Sequence, residues 1–470
     1  MLSRPPRNRM TKTPPQAMPR TLVFDAAAVA DDRAEHRPGR LVIRTTEQGA
    51  SVVAAGTPDQ VGEVHADPST LQHHLLKHDT LVPAFVNAHT HLDLSAVGPR
   101  PFDPRAQPFA DWLAMVLRER PTTEGGLKRA VHLGARLSLA GGVAVVGDIG
   151  GAINGSANLT AWRALRETPL AGVSFLEFFA VGPHAAERLA ALESVLDIAD
   201  PERDPTARVR LGLQPHAPYS VEPSSYAHAS ALADRLGLPL STHLSESRSE
   251  LDLLAGGTGP MPAFLESIGA WNPRTRAALQ TGLHPAAHLA GFLASASPVV
   301  CAHVNHADDD AVRTLAQTGA VVAWCPRSAA YFGNVAELGP HPAGRLLGAG
   351  VPLCIATDSI INLDTPRRIS PLDDARLAAR HHAIAPRDLL AAITTTPASA
   401  LGLSAERHRF VPGPPLAGLV AIEGESLGRV FSGSADPRLL LLRNRCALTG
   451  TGADAGISLG DRLESFTERH

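Results

Sequence analysis

The sequence predicts an α/β protein: a TIM-like (β/α)8 barrel with a small β-sandwich formed by the N- and C-terminal segments. Three observations carry this. From Leu81 onward, eight short apolar runs alternate with helix-period segments, many of which stop at Gly. Nearly every run finishes in a His, Asp, Glu or Arg. Val-, Leu- and Thr-rich segments lie on both sides of that region. Strands that alternate with helices argue for a parallel sheet, and eight such units are the number that closes a barrel.

In chain order, the opening "MLSRPPRNRMTKTPPQAMPR" is basic and proline-rich but lacks the apolar core of a secretory signal. Residues 1–20 are therefore expected to be a disordered tail, and Met10 or Met18 is an alternative start. Residues 21–82, with "TLVFDAAAVA", "GRLVIRTTE" and "ASVVAAG", read as the N-terminal part of the sandwich. Residues 83–403 form the expected barrel. Its runs are "PAFVNAHTH", "VAVVGDIG", "GVSFLEFFAVG", "VRLGLQPHAPYS", "LPLSTHLSES", "PVVCAHVNH", "AVVAWCPRS" and "VPLCIATDS". Residues 404–470 return to β character in "FVPGPPLAGLVAIEG" and "PRLLLLRNRCALTG" and complete the sandwich.

Between the runs, "EGGLKRAVHLGARLSLAGG" places Leu127, Ala130, Val131, Gly134 and Leu137 on one helical face. "SSYAHASALADRLG" offers Ser224 as an N-cap and Gly237 as a stop. In "FDPRAQPFADWLAMVLRERP", Phe109, Trp112, Leu113, Val116 and Leu117 recur at helical spacing. This stripe either packs on the barrel or, because it follows the first strand, walls a substrate pocket. Arg118 and Arg120 at its end either meet an anionic group or stay solvated.

Composition bounds the function. At 44% hydrophobic and 19% charged residues the chain is that of a soluble globular protein, and no stretch approaches the roughly 18 apolar residues of a membrane span. A net charge of -3, with no basic stripe or stacking platform, disfavours nucleic acid and anionic membranes as partners. Cys301, Cys325, Cys354 and Cys446 have no Cys-x-x-Cys spacing and read as core residues in a reducing, cytoplasmic compartment.

Chemistry enters with the ends of the runs. His89 and His91, at i and i+2 of the first run, can aim two imidazoles at one point. Alone the pair is ambiguous in a chain with 21 His. It is joined, however, by Asp148, His216, His243, His303, Arg327 and Asp358 at the ends of the second, fourth, fifth, sixth, seventh and eighth runs. In a closed parallel barrel all these ends face one side, so the groups converge. His132, His184, His284, His341, His381 and His382 fall in helices or loops and read as surface or packing residues.

The motifs "FVNAHTHLDLS", "HAPYS", "THLSES", "CAHVNH", "WCPRSAAYFG" and "ATDS", in this order from about Thr21 to Leu403, resemble the amidohydrolase superfamily in its cytosine deaminase and chlorohydrolase-like branch. "HLSESRSELDLLAGGTGP" and "CPRSAAYFG" are most similar to the aminodeoxyfutalosine and S-adenosylhomocysteine deaminases of that branch. Two departures stand out. Pro83-Ala84 replaces the usual Pro-Gly, and the C-terminal "PGPPLAG" lacks the Asp of the usual "PG..AD" segment.

Three imidazoles (His89, His91, His243) and the Asp358 carboxylate make a site for one divalent ion, Zn2+ first and Fe2+ second. Such an ion lowers the pKa of bound water toward ~7. The resemblance implies that Glu246 shuttles protons, that His303 polarises the attacked centre or orients the nucleophile, and that Asp358 doubles as ligand and proton acceptor. Binuclear relatives carry a Lys on the fourth strand, and "VRLGLQPHAPYS" has none, so a mononuclear site is expected. His216 resembles the substrate-contacting histidine of the branch. Glu177 either contacts substrate or pairs as a buried carboxylate, and Asp148 is either functional or a turn cap. Trp112 is a candidate pocket wall. Arg327 either binds a substrate carboxylate or braces the barrel rim.

The reading that follows is a metal-dependent aminohydrolase acting on an exocyclic amine of a purine-like heteroaromatic ring, with aminodeoxyfutalosine as first guess. Adenosine derivatives and guanine, a ring amide or aryl chloride, and a catalytically silent scaffold are its rivals. Dimers are common in the family the chain resembles, and no residue argues for or against one.

Overall fold

The structure is a computed structural model, which describes residues 19–442 apart from Thr258, together with the backbone of 445–446. The expected tail over 1–20 and the β character beyond Cys446 lie almost wholly outside the described residues. Among the described residues there are sixteen strands: β1 (Arg20–Ala30), β2 (Glu35–His36), β3 (Gly39–Thr46), β4 (Gly49–Gly56), β5 (Leu71–Pro83), β6 (Phe85–Thr90), β7 (Val143–Gly150), β8 (Ala171–Phe178), β9 (Val209–Pro215), β10 (Leu240–Leu244), β11 (Val299–His303), β12 (Val321–Trp324), β13 (Leu353–Ile355), β14 (Gly418–Glu423), β15 (Arg438–Leu442) and β16 (Arg445–Cys446).

Strands β6 to β13 are the eight runs read from the sequence, and they pair in chain order as one parallel sheet. The sheet closes between its first and last members through a bridge from Thr90 to Asp358, in which the Asp358 N–H donates to the His89 carbonyl at 3.2 Å. Every residue of β6, β7, β10, β11, β12 and β13 is buried. Burial on both faces is why these runs are continuously apolar rather than alternating.

The terminal segments pair as expected, but as one continuous sheet in the order β16-β15-β14-β5-β1-β3-β4, with β2 on β1. It encloses its own core of Leu22, Phe24, Ile43, Leu81, Leu419 and Leu441. Strand β5 continues into β6 with only Ala84 between them, and the Ala84 N–H donates to Gly418 O at 2.9 Å. The terminal sheet is thereby welded to the strand that carries His89.

The helix after the first strand's loop spans Glu124–Ala140, capped by Thr123 and ended at Gly141. It buries Leu127, Ala130, Val131 and Gly134, while Leu137 packs against the same core from its edge. A Cβ on Gly134 would lie 2.5 Å from Ser95 Oγ, so only glycine lets this helix press on the turn following His91. The helix over Pro223–Leu236 ends at Gly237 in the left-handed conformation. Its N-cap is Glu222 rather than Ser224, because Pro223 occupies the first helical position and moves the boundary back by two residues. Cys301, Cys325 and Cys354 are buried free thiols, whereas the side chain of Cys446 lies outside the described residues. Among the described residues no helix is long and apolar enough to cross a membrane.

Candidate metal and active site

The C-terminal ends of the barrel strands gather five imidazoles and two carboxylates. His89, His91 and His243 form one group whose ligand atoms all lie within 4.8 Å of one another, and Glu246, His303 and Asp358 form a second. His91 Nε2 and His243 Nε2 are 3.3 Å apart. Asp358 Oδ1 lies 3.6 Å from His91 Nε2 and 3.8 Å from His89 Nε2.

The donor set fits a small divalent cation. Four N and O donors around a tetrahedral ion at about 2.0–2.1 Å sit about 3.3–3.4 Å from each other, close to the separations seen here. The protonation states fit as well. Burial, reinforced by the neighbouring imidazoles, holds His89 and His91 well below the ordinary histidine range, so they are neutral and carry free lone pairs. His243 Nδ1 faces the His216 carbonyl at 2.9 Å and donates to it, which leaves Nε2 bare toward the cluster. Both nitrogens of His89 and of His303 are buried and make no hydrogen bond to the protein. Buried polar atoms are nearly always satisfied, so orphans concentrated at one point indicate a ligand.

Asp358 is oriented from behind. Its Oδ2 accepts from Asn362 Nδ2 at 2.7 Å and Ser328 Oγ at 2.8 Å, leaving Oδ1 toward the histidines. Backbone strain accompanies this aim: Asp358, His303, Val304 and Ser245 have φ of 61°, 73°, 52° and 50°. Positive φ is unfavourable at non-glycine residues, and most of all at β-branched Val304. The strain is held by bonds from Val304 N to Leu244 O at 2.9 Å and from Asn305 N to Ser245 O at 3.0 Å.

Glu246 lies on the loop after β10, 94% buried, with Oε1 3.5 Å from His303 Nε2. Desolvation, with the nearby Asp358 and Glu250 carboxylates, drives its carboxyl well above the usual range. Three residues not singled out from the sequence hold this loop. Glu250 accepts from Ser245 N and Glu246 N, while Asn305 and Asn334 each donate to Glu246 O at 2.9 Å. A signal for Glu250 was present: "SRSE" before an apolar run is the capping-box pattern, and Ser247 Oγ does accept from Glu250 N. The Glu250 side chain reaches past the cap to the active loop.

A cavity of about 320 Å³ opens on this cluster, lined by His91, His243, Glu246 and Asp358 and walled by apolar groups. Trp112, Glu177 and His216 line it too. The helix Phe109–Glu119 therefore does both things read from its stripe: Phe109 and Val116 are buried, and Trp112, Leu113, Val116 and Leu117 face the cavity. His216 Nδ1 bonds Ser220 Oγ at 2.6 Å, and that hydroxyl donates to Ala217 O, so His216 Nε2 is left as an acceptor. Glu177 accepts from Ala152 N at 3.2 Å and lies 3.6 Å from Arg120 Nη1 and 3.9 Å from His216 Nε2.

Some expectations are corrected. Arg327 does not reach the cavity. Its Nε donates to Asp374 at 2.8 Å, Nη1 to Thr365 Oγ1 at 2.8 Å and Nη2 to Ser370 O at 3.1 Å. Nη1 also donates to Asp364 Oδ1 at 3.2 Å and Nη2 lies 2.8 Å from Asp374 Oδ2, so all five donors face protein groups, as in a rim brace and not a carboxylate-binding site. Arg120 is not solvated at a helix end; it is buried and paired with Asp93 at 3.0 Å, whereas Arg118 is exposed. Asp148 accepts from Leu92 N at 3.0 Å and so caps the turn following His91. His341, one of the packing histidines, is buried, stacks on Trp324 and bonds His303 O at 3.1 Å.

A parallel barrel with a metal-ready cluster of His and Asp at its strand ends, beside a buried carboxyl and a substrate-sized cavity, defines a metal-dependent hydrolase of the barrel type. Residues 80–413 match the Amidohydrolase family, and the chain belongs to it. An aminodeoxyfutalosine deaminase of Deinococcus radiodurans is 30% identical over 343 residues, covering 70% of this chain and 73% of that protein. A 5-methylthioadenosine/S-adenosylhomocysteine deaminase of Nitratidesulfovibrio vulgaris is 26% identical over 358 residues, covering 75% and 69%. Among solved structures, the aminofutalosine deaminase of Helicobacter pylori in complex with methylthio-coformycin superposes with a TM-score of 0.67 at 22% identity, over 90% of this chain and 99% of that one.

Proposed function

We propose that this protein is an aminohydrolase that exchanges the exocyclic amine of a purine-like ring for oxygen, consuming water and releasing ammonia. Aminodeoxyfutalosine is the first substrate, with 5′-substituted adenosines next; the names of the relatives in Deinococcus and Nitratidesulfovibrio support this order. His89, His91, His243 and Asp358 would hold one divalent cation, Zn2+ first by its N and O donors and Fe2+ second. When bound, the ion supplies Lewis-acid activation of a water molecule at neutral pH.

The observation that carries the reading is Glu246. It is a buried carboxyl whose pKa desolvation drives well above the usual carboxylate range, at the boundary between the cluster and the cavity. A group so tuned can give its proton to a ring nitrogen and, once ionised, take one from the nucleophilic water and deliver it to the departing amine. His303, 3.5 Å from Glu246, polarises the attacked centre or orients the water. Asp358 accepts the water's remaining proton through Oδ1 while Ser328 and Asn362 hold Oδ2. His216, Glu177 and Trp112 contact the ring or its substituent, since all three line the cavity. We further propose a cytoplasmic location, supported by three buried cysteines that stay unpaired.

The test is ammonia release from aminated purines, adenine nucleosides and aminodeoxyfutalosine by protein loaded with Zn2+ or Fe2+. Turnover of at least one aminated ring is expected. Activity confined to ring amides or aryl chlorides, or no activity with any of these, would overturn the proposal.

A further inference from the structure

A second cavity, of about 380 Å³, lies at the end of the barrel opposite the metal cluster. It is bounded by the starts of β7, β8 and β9, by the turn between β3 and β4, and by residues 402–408. Gln48, Thr206, Arg208, Arg210, Ser404 and Arg407 line it, and no Asp or Glu among the described residues does. The acidic side chains next to it in sequence are placed elsewhere. Glu406 accepts from Arg33 at 2.9 Å and Arg409 at 2.6 Å, and Asp204 accepts from the backbone and hydroxyl of Thr206 at 2.8 and 2.7 Å. Glu47, at the tip of the turn between β3 and β4, is exposed and outside the lining.

Two of the guanidiniums carry spare donors. Arg210, at the second position of β9, is half-buried. Its Nη2 donates to Leu401 O, its Nε is buried with no hydrogen bond, and its Nη1 has no hydrogen-bond partner among the described residues. Capping the Leu401 carbonyl uses one of five N–H donors and supplies no counter-charge. Burial pulls its pKa down with no carboxylate nearby to offset the shift, whereas the buried Arg120 and Arg327 are matched by Asp93 and Asp374. Gly402, with φ of 65°, lies over this guanidinium, and a Cβ there would stand 3.3 Å from Nη2. Arg407 lies in the short turn Ala405–His408 and is exposed. Its Nε donates to Pro415 O at 3.2 Å, which leaves both terminal nitrogens without a partner among the described residues. Arg208 donates to Arg166 O at 2.5 Å and adds its charge to the same recess. A recess lined by one sign of charge over low-dielectric walls concentrates counter-ions, and here the counter-ion is an anion.

The placement of the donors selects its shape. Arg210 belongs to a barrel strand, and Arg407 to the turn that leads from the barrel into the terminal sheet. A carboxylate presents two oxygens in one plane to a single fork, whereas a tetrahedral phosphate turns oxygens toward both walls and carries up to two charges. We propose that this cavity is a second binding site, in which Arg210 and Arg407 hold a phosphate group, either free or as the monoester of a small molecule. The proposal is independent of the reaction at the metal cluster.

Calorimetric titration of the full-length, metal-loaded protein tests it, with inorganic phosphate, glycerol 3-phosphate and succinate as probes at fixed ionic strength. Saturable phosphate binding with a Kd of about 1 mM or tighter is expected, with succinate about tenfold weaker or more. The tighter of the two phosphate probes identifies the source. Arg210→Met and Arg407→Glu should each weaken phosphate about tenfold or more at unchanged metal content, and Arg407→Lys should keep part of the affinity. Because Arg407 is exposed, its variants decide the matter even where Arg210→Met does not fold. Absence of saturable binding in wild type, succinate bound as tightly as phosphate, or binding unaltered by the Arg407 variants, the result for phosphate held at the metal cluster, would overturn the assignment.

Discussion

Glu250 holds the backbone of Glu246: its Oε1 accepts from Ser245 N at 2.9 Å and its Oε2 from Glu246 N at 3.0 Å. One fully buried carboxyl, pushed up to about 7 by desolvation, thus locks the strained loop that aims a second. Replacing Glu250 by Gln sets an amide NH2 against one of these N–H donors and breaks one bond of the pair. We expect kcat to fall about 10- to 100-fold, the scale of a small misplacement of a reacting group. Metal content and KM should move little; parallel loss of metal would mean that Glu250 supports the cluster instead.

Glu246→Gln preserves shape and removes the exchangeable carboxyl proton. Loss of a general acid-base group costs roughly 10²- to 10⁴-fold in kcat. Substrate affinity measured by calorimetry should survive. A variant with more than a tenth of wild-type turnover would take the proton-shuttle role away from Glu246.

Arg327→Met tests the corrected role of Arg327. Asp374 is fully buried and bonded by both the Arg327 backbone N–H and its guanidinium, at 2.9 and 2.8 Å. Removing one partner of a buried pair costs about 3–5 kcal/mol because the other charge is stranded. Guanidinium-chloride unfolding should show a loss of that order, with KM for carboxylated substrates little changed. Unaltered stability with a raised KM for anionic substrates alone would restore the substrate-binding role.

His408 carries a pH prediction. It is buried, its Nδ1 bonds Ala84 O at 3.1 Å beside the junction of the terminal sheet and barrel, and burial lowers its pKa to about 4. Above pH ~6.5 it is neutral both folded and unfolded and stability is unaffected. Between ~6.5 and about 4 the unfolded chain takes up a proton that the folded one refuses, so stability falls as pH falls. The integrated loss is about 3 kcal/mol. Urea unfolding from pH 7.5 to 4.5 should show a shallower decline for His408→Gln than for wild type; identical slopes would remove His408 as a cause.

The barrel was legible because each strand is a contiguous apolar run buried on both faces, with its polar residue at one end. His89, His91, His243 and Asp358 could be picked out because strand ends in a closed barrel must converge, whatever their distance in sequence. Arg327 was left between two roles for a physical reason. A charged residue beside a metal strand looks the same in sequence whether its counter-ion is a substrate or Asp374, which lies 47 positions away and fixes the answer only in three dimensions. The terminal sheet's single-sheet pairing likewise depends on register between segments more than 300 residues apart, which local β character does not encode.

Anomalous diffraction from crystals of the metal-loaded protein tests the central claim most directly. The account predicts one strong peak at about 2.0–2.2 Å from the facing nitrogens of His89, His91 and His243 and from Asp358 Oδ1. A peak held by other side chains, or these four groups closing on one another with no ion between them, would contradict it.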